Sequence, residues 1–306
     1  MASFGDYNRV NTNVTAMDAQ LSLNKINRDL GDSRLKLSTG YKINNAEDDA
    51  AGFAIATKLK SRVAGLEQAL QNVSDAKSVL GLVEGAYGSI MDNLIEMKSL
   101  ATQGANGTIG STEREYISTQ IEALGSDIND VAKSTVYNGI SLLDGSDNTG
   151  TLSMVFQTGE GTSDTDTVTL NAVNTGMLFN NGNAGALATE FNISANDASV
   201  RGEFTVDDSD VTGAMYTTFV GLVDSAIEEL NGYMNQVGID QRSLAGKEVN
   251  LTEAITANSA AKSRIMDTDF AKEQSNSIRL QILQQTATAA LSQANMGPQA
   301  VLGFLG

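Results

Sequence analysis

Leu59-Lys60-Ser61-Arg62-Val63-Ala64-Gly65-Leu66-Glu67-Gln68-Ala69-Leu70-Gln71-Asn72-Val73 places its apolar side chains Leu59, Val63, Leu66, Leu70 and Val73 in steps of four, three, four and three. A repeat of about 3.5 residues keeps such side chains on one stripe of an α-helix, and the stripe must be buried against other helices. The spacing resumes at Ala76, Leu80, Val83, Tyr87, Ile90, Leu94, Met97 and Ala101. A third helix is predicted from Ser111 or Thr112, carrying Ile117, Ile121, Leu124, Ile128 and Val131. The far half answers with Val220, Val223, Ile227, Leu230, Met234 and Val237, then Leu244, Leu251 and Ile255. At 1.5 Å per residue the first long helix would run roughly 60 Å. The expected fold is mainly α: an elongated, antiparallel, coiled-coil-like bundle built by both chain ends. A small β-rich hairpin region is expected as an insert in the middle.

The flanks behave differently. Val10, Val14, Met17, Leu21, Ile26, Leu30, Leu35 and Leu37 drift around their helix, as do Ile278, Leu280, Ile282, Leu283, Ala287, Ala290 and Ala294 near the other end. A helix apolar on several sides must be covered on several sides, and alone it is marginal. These arms are read as interface helices that order on assembly. Gly40 closes the first arm, and Asn45 or Asp48 is the expected cap of the next helix. Gly81, Gly85 and Gly88 within the long helix mark either a weak point or the close approach of another backbone. Pro298 is the only proline, placed where the last helix should end; Val301, Leu302, Phe304 and Leu305 follow as an apolar tail.

Between Leu143 and Thr212 the heptad vanishes. Thr151–Gln157 and Thr165–Ala172 alternate and are β-branched, and Gly159-Glu160-Gly161 between them signals a hairpin. Its tip, Thr158–Asp164, reads as an exposed loop tolerant of replacement. Glu203–Val206 is another strand candidate, and Tyr137-Asn138-Gly139 a turn closing the third helix. The acidic run Asp144-Gly145-Ser146-Asp147-Asn148 lacks the twelve-residue loop and closing Glu of an EF-hand and reads as a solvated turn.

Composition excludes much chemistry. The 306 residues contain no Cys, His or Trp, which removes Ser-His-Asp and Cys-His catalysis, the HExxH zinc site and thiolate clusters. No cofactor is expected. Paired carboxylates could act as acid and base, but 37 acidic residues place some together by chance. A net charge of −17 disfavours nucleic acid and anionic membrane. No apolar run approaches the ~20 residues of a bilayer span, and the N-terminus shows no cleavable secretory signal.

Several blocks resemble bacterial flagellin. At the N-terminal end the likeness begins at Val10-Asn11-Thr12-Asn13. It is strongest at Leu37-Ser38-Thr39-Gly40-Tyr41-Lys42-Ile43-Asn44-Asn45-Ala46-Glu47-Asp48-Asp49-Ala50-Ala51-Gly52, and runs on through Leu100-Ala101-Thr102-Gln103-Gly104-Ala105-Asn106. A second block covers Ser263-Arg264-Ile265, Gln281-Ile282-Leu283-Gln284-Gln285, Ala294-Asn295 and Pro298-Gln299. The resemblance implies a filament subunit, not an enzyme, in three parts. Residues 1–43 with 262–306 would form an inner terminal coiled coil, 44–145 with 214–261 an outer-tube bundle, and 146–213 a short exposed middle. It implies polymerisation through the arms (Val10, Val14, Met17, Leu21, Ile26, Leu30, Ile278, Leu280, Leu283, Ala287, Ala290 and Leu302). The bundle core would comprise Leu59, Val63, Leu66, Leu70, Leu80, Ile90, Leu94, Ile121, Leu124, Ile227, Leu230, Val237, Leu244 and Leu251.

The implied partners are further copies of the chain, an export chaperone, the filament cap and hook-associated proteins. The implied destination is the extracellular flagellum, reached by type III export. Glu96, Leu100 and Gln120 fall where activating flagellins contact the vertebrate innate receptor, with Glu96 standing for an Arg and Gln120 for a Glu. Extra residues before the usual start, Phe4 and Tyr7 among them, depart from the family pattern. Alternatives are a hook–filament junction protein, which shares the N-terminal pattern, a chemoreceptor-type signalling bundle, and a carboxylate-based enzyme.

Overall fold

The computed structural model describes residues 12–144, 150–180 and 212–302. In chain order the elements are α1 (Val14–Thr39), α2 (Ala50–Gly104), α3 (Ser111–Ser134), β1 (Val136–Tyr137) and β2 (Ile140–Ser141). They continue with β3 (Thr151–Gln157), β4 (Thr165–Asn171), α4 (Thr175–Asn180), α5 (Gly213–Met266) and α6 (Phe270–Leu302). The chain divides into two compact units, Met1–Val63 with Thr256–Gly306 and Ala64–Ile255.

In the second unit, the α2 stripe from Ala76 through Leu80, Val83, Tyr87, Ile90, Leu94 and Met97 to Ala101 is buried without interruption. Leu66 is buried and Leu70 packs against the same core. On α5 the buried line differs from the expected one: it begins at Tyr216 and Phe219 and passes through Val223, Ala226, Leu230, Val237, Leu244 and Leu251. Val220, Ile227 and Met234 flank it, half-buried. The four-three spacing allows two neighbouring stripes that share Val223, Leu230 and Val237, and the aromatic pair Tyr216 and Phe219 supplies more area to bury than Val220 does. α2 and α5 run antiparallel here, as Lys77–Glu248 (2.7 Å) and Lys98–Asp224 (2.5 Å) show. Ile121 and Ile128 of α3 join the core fully buried, with Leu124 partly buried beside them.

Two hairpins complete this unit. β3 and β4 pair antiparallel from Thr151↔Asn171 to Gln157↔Thr165. Val168 and Leu170 face the core, while Tyr87 donates its hydroxyl to the Asn171 carbonyl (2.9 Å) and Asn72 its amide to that of Gln157 (3.0 Å). The tip is less open than its composition suggests. Thr158 is buried, Gln157 donates to the carbonyls of Gly159 (2.8 Å) and Gly161 (2.6 Å), and the Asp164 carboxylate accepts the Gly161 N–H (2.9 Å). Lys247 pins the hairpin through Asp166 at 2.7 Å. Tyr137-Asn138-Gly139 does more than end a helix. Asn138 (φ 49°) and Gly139 (φ 81°) form the two-residue turn between β1 and β2, the backbone that Asn-Gly favours.

α2 ends at Gly104, where the Arg114 guanidinium donates to the carbonyls of Gly104 (3.0 Å) and Asn106 (3.1 Å). Arg114 thus serves carbonyls that a helix end leaves orphaned. The Tyr216 ring closes on Gly104, and its hydroxyl donates to the Arg114 carbonyl at 2.6 Å. A Cβ at Gly81, Gly85 or Gly88 would meet nothing within 4 Å. Among the described residues these glycines neither break α2 nor admit a neighbouring backbone.

Candidate assembly surface

The first unit is organised by α1 and α6. Asn13 caps α1, its side-chain oxygen accepting the Ala16 N–H (3.0 Å), and its amide reaches the Ala294 carbonyl at 2.8 Å. Gln284 donates to Asn27 at 2.7 Å. Near the other end Thr268 N–H reaches the Gly40 carbonyl (2.9 Å) and Lys42 N–H that of Met266 (2.7 Å). Those pairs fix the two helices antiparallel. Gly40, at φ 77°, ends α1 in the left-handed conformation that glycine adopts without cost.

The turn into α2 corrects the expected cap. Neither Asn45 nor Asp48 caps it; Asp49 does, accepting from the N–H groups of Ala51 (3.1 Å) and Gly52 (3.0 Å). Asp48 turns back, its carboxylate accepting the N–H groups of Asn44 (2.9 Å) and Asn45 (3.0 Å). Those bonds favour the charged form and hold its pKa below the usual carboxylate value, helped by Lys36. Three acceptor side chains compete at this N-terminus, and only the one nearest Ala50 can reach the second and third helical N–H groups. Pro298 does not end α6, which continues to Leu302. A proline forfeits a single hydrogen bond, and near a terminus that loss is tolerated.

Burial divides the arm residues into two groups. Leu30 (3% exposed) and Leu280 (7%), with Ser33 and Ser277, are buried where α1 meets α6. Met17 (64%) and Leu21 (70%) of α1, and Ile278, Ile282 and Leu283 of α6, stay exposed. Val14, Ile26 and Ala287 are half-buried and Ala290 is exposed. Val10 lies outside the described residues, and for Leu302 only the helical backbone is described. Leu59 and Val63 are half-buried on the first turns of α2. In the second unit Glu96 and Gln120 are exposed and Leu100 is half-buried. Glu203–Val206 and the turn 145–149 fall outside the described residues.

Exposed methionine, leucine and isoleucine side chains along two paired helices leave apolar surface with chemistry for packing. Among the described residues no group of three acidic, His or Cys side chains could hold a metal, and no helix is long and apolar enough to cross a membrane. Sequence reading missed Arg114, Tyr216 and the Asp164 lock. Arg114 belongs to no periodic stripe, Tyr216 heads the α5 stripe that the expected phase passed over, and only the fold brings Gly104 to them.

The model of the bacterial flagellin N-terminal helical region matches residues 10–148, and that of the C-terminal helical region matches 220–305. The chain is 31% identical over 300 residues to the flagellar filament 33 kDa core protein of Treponema phagedenis, covering 97% of this chain and 99% of the other. It is 33% identical over 315 residues to a flagellin of Bacillus subtilis strain 168, with the same coverage. A solved structure described as a flagellar hook-associated protein from Vibrio parahaemolyticus shares the fold at a TM-score of 0.57. The identity is 15%, over 72% of this chain and 100% of that one. With both terminal models matched in order, and relatives aligned over nearly their whole length, the chain belongs to the bacterial flagellin family.

Proposed function

We propose that the chain is a structural subunit that polymerises into a bacterial flagellar filament through the face that α1 and α6 leave uncovered. The carrying observation is the exposure of Met17, Leu21, Ile278, Ile282 and Leu283 on a helix pair whose own seam already holds Leu30 and Leu280. Identical subunits joined by heterologous contacts that do not close make an open helix. Apolar burial drives the joining at about 25 cal/mol per Å² before ordering costs are subtracted. Residues 1–43 with 262–306 would be the inner layer, 44–145 with 214–261 the outer tube, and 146–213 the outer surface. Export through the type III route, with a chaperone on the C-terminal helix and assembly beneath a cap next to hook-associated proteins, belongs to the same reading. Of the two relatives described above, one is named a flagellar filament core protein and the other a flagellin, which favours a filament subunit over a hook–filament junction protein.

Deleting residues 1–40 or 265–306 tests the assignment. The core of the second unit lies wholly within 64–255, so each truncation should stay folded and monomeric. Sedimentation and negative-stain microscopy should find filaments from the intact chain alone. Filaments at normal yield from either truncation would reject the reading.

The innate-receptor surface is predicted to be weak. Glu96 puts the wrong sign where activating flagellins carry an Arg. Of the nearby cations, Lys98 is paired with Asp224 and Arg114 is engaged by the Gly104 and Asn106 carbonyls. A like-charge contact in a partly desolvated interface costs several kcal/mol. A receptor-reporter assay on monomer should give a poor response that Glu96→Arg raises. A response equal to that of an activating flagellin at the same dose would reject it.

A further inference from the structure

Four Asn-Gly dipeptides occur in the sequence: Asn106-Gly107, Asn138-Gly139, Asn181-Gly182 and Asn231-Gly232. Asn-Gly is the dipeptide most open to intramolecular attack, because glycine has no side chain to obstruct its nitrogen. Sequence alone ranks the four equally. The three described ones sit in very different surroundings.

Asn231 lies inside α5, where the Gly232 N–H is committed to the helical ladder. Exposing it requires opening a 54-residue helix whose neighbouring Leu230 is fully buried. Asn106 is held from several sides. Its side-chain oxygen accepts the Thr108 N–H (3.2 Å), and its carbonyl accepts the Ile109 N–H (3.3 Å) and the Arg114 guanidinium (3.1 Å). Asn138 has none of this. Its carboxamide and the Gly139 N–H have no hydrogen-bond partner among the described residues. Both residues are exposed, and a Cβ at Gly139 would meet nothing within 4 Å. They join two strands of two residues each, paired at Val136↔Ser141 and Tyr137↔Ile140, with one further bond beyond them from the Leu142 N–H to the Thr135 carbonyl (3.0 Å). So short a ladder opens far more readily than a long helix.

We propose that Asn138 is a site of spontaneous deamidation and isoaspartate formation, the first among the described Asn-Gly pairs to convert. The Gly139 nitrogen, on losing its proton, attacks the Asn138 side-chain carbonyl carbon. A C–N bond forms, ammonia leaves, and a five-membered succinimide results. Water then opens either carbonyl of the ring, giving aspartate or isoaspartate. Either product adds a negative charge at the turn. Isoaspartate also puts an extra carbon into the main chain, which a two-residue turn cannot absorb while keeping its register. Conversion therefore releases the β1–β2 pairing, flanked by the exposed side chains of Val136 and Ile140.

The test incubates the intact protein in mildly alkaline buffer and follows each Asn-Gly by peptide mapping, with isoaspartyl methyltransferase marking the isomer. A parallel sample is kept in denaturing urea. In the folded protein Asn138 should convert several-fold faster than Asn106 and tenfold or more faster than Asn231, whereas in urea the three should converge. Folded Asn138 converting no faster than Asn231 would overturn the proposal. So would a folded-state ranking identical to that in urea, because the ordering would then owe nothing to the structure. Asn138→Asp should keep the amide protection of Tyr137 and Ile140 that the isoaspartyl form loses. Equal loss in both would reject the main-chain mechanism.

Discussion

At the residue scale, two glycines of α2 have opposite surroundings. A Cβ at Gly104 would come within 2.7 Å of the Tyr216 ring, which is fully buried, so the ring has nowhere to move. Gly104→Ala should cost about 1–3 kcal/mol through overpacking, measured by urea denaturation of the monomer. Gly85→Ala meets open space and should stabilise the monomer by up to about 1 kcal/mol, since alanine is the better helix former. If Gly85→Ala also blocks polymerisation, a neighbouring copy's backbone approaches α2 there; normal filaments would leave that glycine without a packing role. Asp48 supplies a pH prediction. Its folded-state pKa is depressed by the N–H groups of Asn45 and Asn44, so its stabilisation is present above the ordinary carboxylate pKa. That stabilisation is lost as pH falls through the lower, folded value. Amide protection at Asn44 and Asn45 should fall in that acid range, and Asp48→Asn should remove the pH step. A step that survives the substitution would assign it to another group. Single residues were the least legible level in the sequence: the Asp49 cap, the Asp164 lock and the Arg114 clamp rest on directions that spacing does not encode.

Elements were far more legible. The long stripes of α2 and α3 and the β3–β4 pair follow from four-three spacing, β-branched alternation and Gly-containing turns. The phase of α5 did not, because Val220 and Phe219 compete for neighbouring stripes and total burial decides between them. The arms gave a drifting pattern, and α1 and α6 carry that pattern as a partly covered pair. Leu283→Asp places a charge on the uncovered face. It should leave the monomer's helix content intact while abolishing polymerisation, since burying an unpaired carboxylate against a second copy is prohibitive. Circular dichroism and sedimentation would check the two halves of that statement. Filaments forming at wild-type critical concentration would move the contact elsewhere. Replacing Thr158–Asp164 wholesale is no longer expected to be neutral for stability, given the buried Thr158 and the bonds that Gln157 and Asp164 make within the tip.

For the whole molecule, charge sets the conditions of assembly. Each copy carries −17, and bringing copies side by side concentrates that repulsion, which salt screens over about 10 Å at 0.1 M. Sulfate also strengthens apolar burial. The critical concentration should therefore fall as sulfate rises, by light scattering; a steady rise would contradict the apolar-driven scheme. The bond from Asn13 to the Ala294 carbonyl joins positions 281 residues apart. A chain emerging gradually from a ribosome or a narrow conduit, whichever end leads, holds one of these two helices without its mate until the stretch between them has passed. Residues 64–255 can close meanwhile from nearer neighbours. Contacts so distant along the chain form last and slowly. The α1–α6 pair is in effect a clock, stopping only when the second of the two helices has arrived.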